Sequence, residues 1–304
     1  MTCEVRTASD TDDSLMRQIQ RAAYPDYVQE PASLLWFPAG QLDAPANCPH
    51  KLVACQSGVP AGYAAVWRVK EEKYRFDLLV HPEYRGSGIG SALFEVVLRI
   101  AMDSGARTLQ GRARADDERA SIFLHRRGFV ETQRMTGFER ELADLDSISI
   151  PSVSKFSVVT LSEAQTRNPS WRSDLLALLA AAQDGWPDPD PDPSGLSQIG
   201  MRVFERLLSN VEEPDAFFVG ADQGTYIGVS SLHTLGTAVH PAYRGRGIAT
   251  LLHYHALRKA RLDGLVRIVR PTANRAMRAV FLKLGYRQSL TEVRMILRSD
   301  RASL

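Results

Sequence analysis

Cysteine is scarce in this sequence. Only Cys3, Cys48 and Cys55 occur, an odd number crowded toward one end, which excludes a disulfide framework as the source of the fold. Cys48, His50 and Cys55 lie near one another, but the spacing matches no zinc-ligand pattern and no second ligand pair follows, so no metal is expected. Excess charge of one sign is lacking too. Lys and Arg number 37 against 35 Asp and Glu, a net charge of +2, which gives no general drive toward nucleic acid or an anionic membrane. There is no run of about 18 apolar residues, and Met1-Thr2-Cys3-Glu4-Val5-Arg6 lacks the charged-then-apolar pattern of a secretory signal. The expectation is a soluble, cytoplasmic chain without nucleic-acid or membrane partners.

What the sequence does have is repetition. One loop runs His81-Pro82-Glu83-Tyr84-Arg85-Gly86-Ser87-Gly88-Ile89-Gly90, and a second runs His240-Pro241-Ala242-Tyr243-Arg244-Gly245-Arg246-Gly247-Ile248-Ala249. Each follows an apolar stretch that reads as a strand, Phe76 to Val80 and Leu235 to Val239, and each opens a helical pattern. That is the arrangement for holding an anion at a helix start, where backbone N–H groups are free and glycine removes the Cβ that would block approach. Arg85 and Arg244 add a charge-assisted partner. A single Gly-rich turn of this kind is a weak signal; its recurrence in the same strand, His-Pro and Tyr context is a strong one.

With 304 residues, 44% of them hydrophobic, the chain can fill two cores. The coarse pattern is β-α-β-β-β-α-β-α-β, twice, an α/β architecture with mixed sheets. The expected boundaries are a first domain over 1–145, a short linker over 146–154 and a second domain over 155–304. The first loop's helix repeats cleanly through Ile89, Leu93, Val96, Val97 and Ile100. The second falters where Ile248, Leu251 and Leu252 give way to His253, Tyr254 and His255. Gly128 and Gly285 read as helix C-caps, each followed by an aromatic that packs back.

With these motifs the chain resembles the GNAT acetyltransferase superfamily. The superfamily's diphosphate signature, [RQ]-x-x-G-x-[GA], is met by Arg85, Gly88 and Gly90 and by Arg244, Gly247 and Ala249. The likeness covers both halves and includes the later helices, Ala120 to Phe129 and Asn274 to Tyr286. It implies two tandem acyl-CoA N-acyltransferase domains that bind acetyl-CoA through Arg85, Gly86, Ser87, Gly88, Ile89 and Gly90 and through Arg244, Gly245, Arg246, Gly247, Ile248 and Ala249. It further implies a fourth strand splayed from the next at Val80 and Val239, whose main chain holds the developing oxyanion. Asn274 is then either a cofactor contact or a plain helix cap.

The implied reaction moves acetyl to a primary amine of a small molecule or peptide by direct attack. The amine must be neutral, although a lysine-like group has a pKa near about 10.4, and the departing thiolate benefits from an acid. In many members of the superfamily that acid is a Tyr; the matching positions here are Leu124 and Phe281, which cannot donate. For a base, steps of two back from each valine reach Glu72 and His233, the polar candidates, whose place near a strand end or hairpin reads first as that of a solvated, inert side chain. Asp184-Gly185-Trp186-Pro187-Asp188-Pro189-Asp190-Pro191-Asp192-Pro193 is either an acceptor loop, with Trp186, Asp188 and Asp190 drawing in a cation, or a stiff solvated connector. The rival to an enzyme is a CoA-binding sensor or structural pair with one or both halves silent. A dinucleotide oxidoreductase is more remote, because the glycine spacing and the element order do not fit it.

Overall fold

The computed structural model describes residues 3–9, 12–23, 50–148, 155–182, 205, 208–209, 211–232 and 236–298. The first half of the sequence forms β1 (Cys3–Thr7), α1 (Asp13–Ala23), β2 (His50–Gln56), β3 (Val59–Lys70), β4 (Lys73–Val80), α2 (Ile89–Asp103), β5 (Thr108–Arg114), α3 (Glu118–His125) and β6 (Val130–Glu141). The second half repeats the order with its first helical stretch divided: β7 (Ser157–Thr160), α4 (Leu161–Arg167), α5 (Trp171–Ala182), β8 (Phe217–Asp222), β9 (Thr225–Ser231), β10 (Gly236–Val239), α6 (Ile248–Leu262), β11 (Arg267–Thr272), α7 (Arg275–Lys283) and β12 (Arg287–Arg298).

Local chemistry sets these boundaries. Ser57-Gly58 joins β2 to β3 and Gln223-Gly224 joins β8 to β9, with φ of 51° and 81° and of 47° and 88°, the left-handed pair that matches the twist of a tight hairpin. α4 opens with a reciprocal cap between Thr160 and Glu163. α3 and α7 end at Gly128 and Gly285, φ 81° and 74°. The next residue's N–H then turns back, Phe129 to the Leu124 carbonyl (3.2 Å) and Tyr286 to the Phe281 carbonyl (3.0 Å), which closes the helix and buries the aromatic.

The chain forms two compact units. Among the described residues the first takes everything up to Arg134 together with Glu292–Arg298, and the second takes Met135–Thr291. The division therefore runs through β6 and β12. In the first unit the strands run β1-β2-β3-β4-β5-β12; β5 is antiparallel to the end of β12, with Arg114 opposite Glu292 and Thr108 opposite Arg298. In the second, β11 is antiparallel to the end of β6, with Arg267 opposite Glu141 and Thr272 opposite Thr136, while β10-β9-β8-β7 form a separate four-stranded sheet.

The first unit buries α2 and α3 against β2 to β5, with Phe76, Phe94 and Phe129 at its centre. Their rings meet edge to face at 5.6 to 5.9 Å, the favoured aromatic geometry. In the second unit α6 and α7 cover one core with Phe218, Ile227, Val239 and Ile268. α4 and α5 cover another with Phe217, Val219, Val229 and Ala238. Successive residues of a strand face opposite ways, so Ala238 and Val239 place α5 and α6 on opposite faces of β10.

Candidate functional site

Both loops fold alike. After β4 a short 3-10 turn covers Pro82–Tyr84, and after β10 its counterpart covers Pro241–Tyr243. The turns are pinned in register: His81 N–H donates to the Ala61 carbonyl (2.8 Å) and His240 N–H to that of Ile227 (2.9 Å). The chain then enters the helix through left-handed glycines, Gly86 and Gly88 at φ 83° and 89° and Gly245 and Gly247 at 77° and 82°. The first helical N–H to reach a carbonyl is that of Ala92, on Gly88, and of Leu251, on Gly247, both at 3.0 Å. The N–H groups of Gly86 to Ser91 and of Gly245 to Thr250 have no carbonyl acceptor among the described residues, as the first turn of a helix requires.

A Cβ placed on Gly86, Gly88 or Gly245 would meet no protein atom within 4 Å. The space around these glycines is open, which leaves room for a diphosphate beside the bare backbone. Gly90 is different. It lies inside α2, and its Cβ would rest 3.5 Å from the Phe123 ring, an ordinary contact; Ala249 occupies the matching place in α6.

Arg85 and Arg244 turn inward. Arg85 Nε donates to the Val80 carbonyl (3.3 Å) and Nη2 to the Ala23 carbonyl (3.5 Å); Arg244 does the same to Val239 (3.2 Å) and Ala182 (3.1 Å). Each guanidinium thus ties the end of a strand to the last residue of α1 or α5. Ser87 Oγ is 2.6 Å from the Tyr84 carbonyl, and Arg246 reaches the Ala242 carbonyl (3.1 Å) while lying over the Tyr243 ring. Asn274 Oδ1 caps α7, accepting from Ala276 N–H (2.8 Å) and Met277 N–H (3.1 Å), as Asp117 caps α3 through Ala120 N–H (3.0 Å).

The strand beside each loop loses its neighbour. β4 is parallel to β5 only from Lys73 to Arg75, so Phe76 to Val80 diverge from it. β10 is bonded to β9 and makes no ladder with β11. At the vertex of the first split Arg75 donates twice to Gln110 Oε1 (2.7 and 3.0 Å). Beyond it Arg112 and Asp77 join the diverging strands with bonds of 2.7 and 2.9 Å.

Of the two residues considered as a base, Glu72 sits at the hairpin tip, φ 56°, paired with Arg107 at 3.0 Å; this is the end of β4 away from Val80, so the fold does not bring it to the loop. His233 lies outside the described residues, as do Trp186, Asp188 and Asp190. Leu124 and Phe281 are both buried.

Sequence reasoning missed two features. Gly62 on β3 and Gly228 on β9 lie directly under the helix starts: a Cβ would come to 3.0 Å from Ile89 Cγ2 in one and 2.9 Å from Leu252 Cδ1 in the other. A strand-interior glycine recurring at one place in both copies was the available signal. The second feature is a chain of polar groups inside the second unit. Ser230 Oγ lies 2.8 Å from Thr237 Oγ1, Thr237 Oγ1 3.2 Å from His253 Nδ1, and His253 Nε2 2.8 Å from Tyr286 OH. Burial, aided by the charge of Arg270, pushes the imidazole down to about 3. Burial also raises the Tyr286 phenol above its ordinary value and lowers the Arg270 guanidinium.

Among the described residues no helix is long and apolar enough to cross a membrane. The profile of the acetyltransferase (GNAT) family matches residues 14–129 and again 175–286. Mycothiol acetyltransferase of Kineococcus radiotolerans is 28% identical over 252 residues, 80% of this chain and 79% of that protein. A GCN5-related N-acetyltransferase from Sphaerobacter thermophilus shares the fold at a TM-score of 0.72 and 16% identity, covering 97% of this chain and 95% of its own. A tandem GNAT protein from the clavulanic acid biosynthesis pathway does so at 0.65 and 19% identity, covering 98% and 100%.

Proposed function

The chain belongs to the acetyltransferase (GNAT) family, and from that premise we propose that its two loops hold the diphosphate of acetyl-CoA and that it acetylates a primary amine of a small molecule or peptide. The carrying observation is the doubled set of helix-start N–H groups, Gly86 to Ser91 and Gly245 to Thr250, that meet no backbone carbonyl among the described residues, beside glycines whose missing Cβ would touch nothing within 4 Å at Gly86, Gly88 and Gly245. A curated relative named for acetyl transfer, matched over most of both chains, supports the same class.

When bound, acetyl-CoA supplies an acyl group already activated for attack by a neutral amine. The chain's own residues do the rest. The backbones of Gly86-Ser87-Gly88-Ile89-Gly90 and Gly245-Arg246-Gly247-Ile248-Ala249 hold the anion at a positive helix end. Arg85 and Arg244 act on it indirectly, by fixing the loop. At Val80 and Val239 the strand edge left without a partner offers main-chain groups to an extended ligand and a donor to a developing oxyanion. Trp186, Asp188 and Asp190 draw a cationic acceptor toward the second unit, and His233 is its base.

Buried Leu124 and Phe281 favour a second reading, in which the units bind CoA without turnover. Calorimetry with CoA, followed by free-thiol release from acetyl-CoA over a panel of amines, separates the two. Two CoA per chain with thiol release is the expected result. Binding without release selects the sensor, and no binding refutes both.

A further inference from the structure

The polar chain of the second unit has one outlet. Ser230, His253 and Tyr286 are buried, and Thr237 alone of the four is partly exposed. The first unit does without such a chain. Ser230 stands opposite Thr237 in the ladder of β9 and β10, as Ala64 stands opposite Leu78 in that of β3 and β4. Counted from the loops and the helix caps, His253 answers to Phe94 and Tyr286 to Phe129. All four counterparts are apolar, so the fold itself does not require the hydroxyls or the imidazole.

The hydrogens of the chain are assigned by satisfying its buried groups first. Among the described residues the Tyr286 hydroxyl has one hydrogen-bond partner, His253 Nε2 at 2.8 Å, so Tyr286 donates there. The imidazole is kept neutral by burial; its proton is therefore on Nδ1, which donates to Thr237 Oγ1 at 3.2 Å. The Ser230 hydroxyl likewise has only Thr237 Oγ1, at 2.8 Å, and donates to it. Thr237 Oγ1 thus accepts two hydrogen bonds, and its own hydrogen is left over. A hydroxyl whose oxygen accepts in this way is polarised into a stronger donor.

Thr237 also stands where an extended ligand would run. β10 is bonded to β9 on one side and makes no ladder with β11 on the other. Val239 and Thr237 lie on the same face of β10, so a donor gripped at the loop and laid along that free edge passes Val239 first and Thr237 about 7 Å farther on. Phe281, at the place where many members of the superfamily carry an acid, has no proton to offer the departing sulfur.

Resting on the reading of Gly245 to Ala249 as a diphosphate holder, we propose that Thr237 is a catalytic residue of the second unit, its hydroxyl donating a hydrogen bond to the thioester sulfur and holding the thiolate as it departs. Ser230, His253 and Tyr286 are positioning residues that aim it. In the step it serves, the amine nitrogen bonds to the carbonyl carbon and the carbon–sulfur bond breaks with its electron pair on sulfur. The proton shed by nitrogen reaches that sulfur through solvent, which gives the free thiol; Thr237 keeps its own proton throughout.

The test uses the full chain carrying Gly88→Glu, which disables the first loop, and CoA labelled with carbon-13 beside its sulfur, whose NMR shift reports ionisation of the bound thiol. His253 and Tyr286 hold their charge states across that titration, burial pushing one down and the other up. A donor at sulfur favours the thiolate, so the bound thiol is expected to titrate about one pH unit lower with Thr237 than with Thr237→Val. Thr237→Ser should recover most of that difference, and Tyr286→Phe, which lets the imidazole take its other tautomer, should lose part of it. Equal titration with Thr237 and with Thr237→Val overturns the proposal. If Thr237→Val fails to fold, Thr237→Ala, which leaves room for a water on the two buried donors, takes its place. CoA binding with equal titration refutes the role of Thr237 alone, whereas no CoA binding at the second loop refutes the underlying reading as well.

Discussion

Where the first unit sets Phe94 and Phe129 edge to face, their centroids 5.9 Å apart, the second places His253 and Tyr286, joined by a hydrogen bond of 2.8 Å. The loops above these cores nevertheless share their left-handed glycines and the two carbonyls held by Arg85 and by Arg244. The loop's shape is thus set by its glycines and its arginine tie, not by the core beneath. The polar core is tolerable because each of its members finds a partner; a chain broken at one link would leave buried groups unsatisfied.

The comparison breaks most visibly at the loops. Gly88→Glu and Gly247→Glu force a side chain into a left-handed site, at about 1–2 kcal/mol of strain, and put a carboxylate where the diphosphate belongs. Each is expected to remove one CoA of two, at least about tenfold in affinity by calorimetry; a variant with unchanged stoichiometry would mean that its loop is idle. Next come the cores. His253→Phe should destabilise the second unit by about 1–3 kcal/mol, since it leaves the buried Tyr286 hydroxyl without its partner. Adding Tyr286→Phe, the first unit's own pair, should recover part of that loss, which a denaturation double-mutant cycle would expose as strong non-additivity.

Acid sharpens the contrast further. His253 is held near 3 in the fold against 6.5 when free, so below 6.5 the unfolded chain takes up a proton that the native one refuses. Stability of the second unit therefore falls as pH drops from 6.5 toward 3, by up to about 1.4 kcal/mol per pH unit. Hydrogen exchange in α6 should show the decline, and His253→Phe should remove this contribution. The smallest effect is at Gly90→Ala. The added methyl finds an ordinary contact and a better helix former, so a gain of about 0.5–1 kcal/mol with CoA binding unchanged is expected.

Much of this was legible beforehand. The repeated loop, the element order, the hairpin glycines and the caps at Gly128 and Gly285 all have local causes, and local causes are written in consecutive residues. The polar chain was not legible, because His253 interrupts the apolar stripe of α6 and reads as exposure, whereas its burial depends on Thr237 and Tyr286, far off in sequence. The inward turn of Arg85 and Arg244 was hidden for the same reason: their acceptors include Ala23 and Ala182, at the ends of other helices. Nor could periodicity reveal that β6 and β12 each serve both units, since a twelve-residue strand looks the same whichever neighbours it meets.

That last feature has a bearing on biosynthesis. Residues Glu292 to Arg298 flank β5 in the first unit, yet they are translated after every other described strand. The first unit must therefore wait on the ribosome with one flank of β5 uncovered until the strands of the second unit have been made, an interval in which chaperones rather than native contacts have to guard that edge.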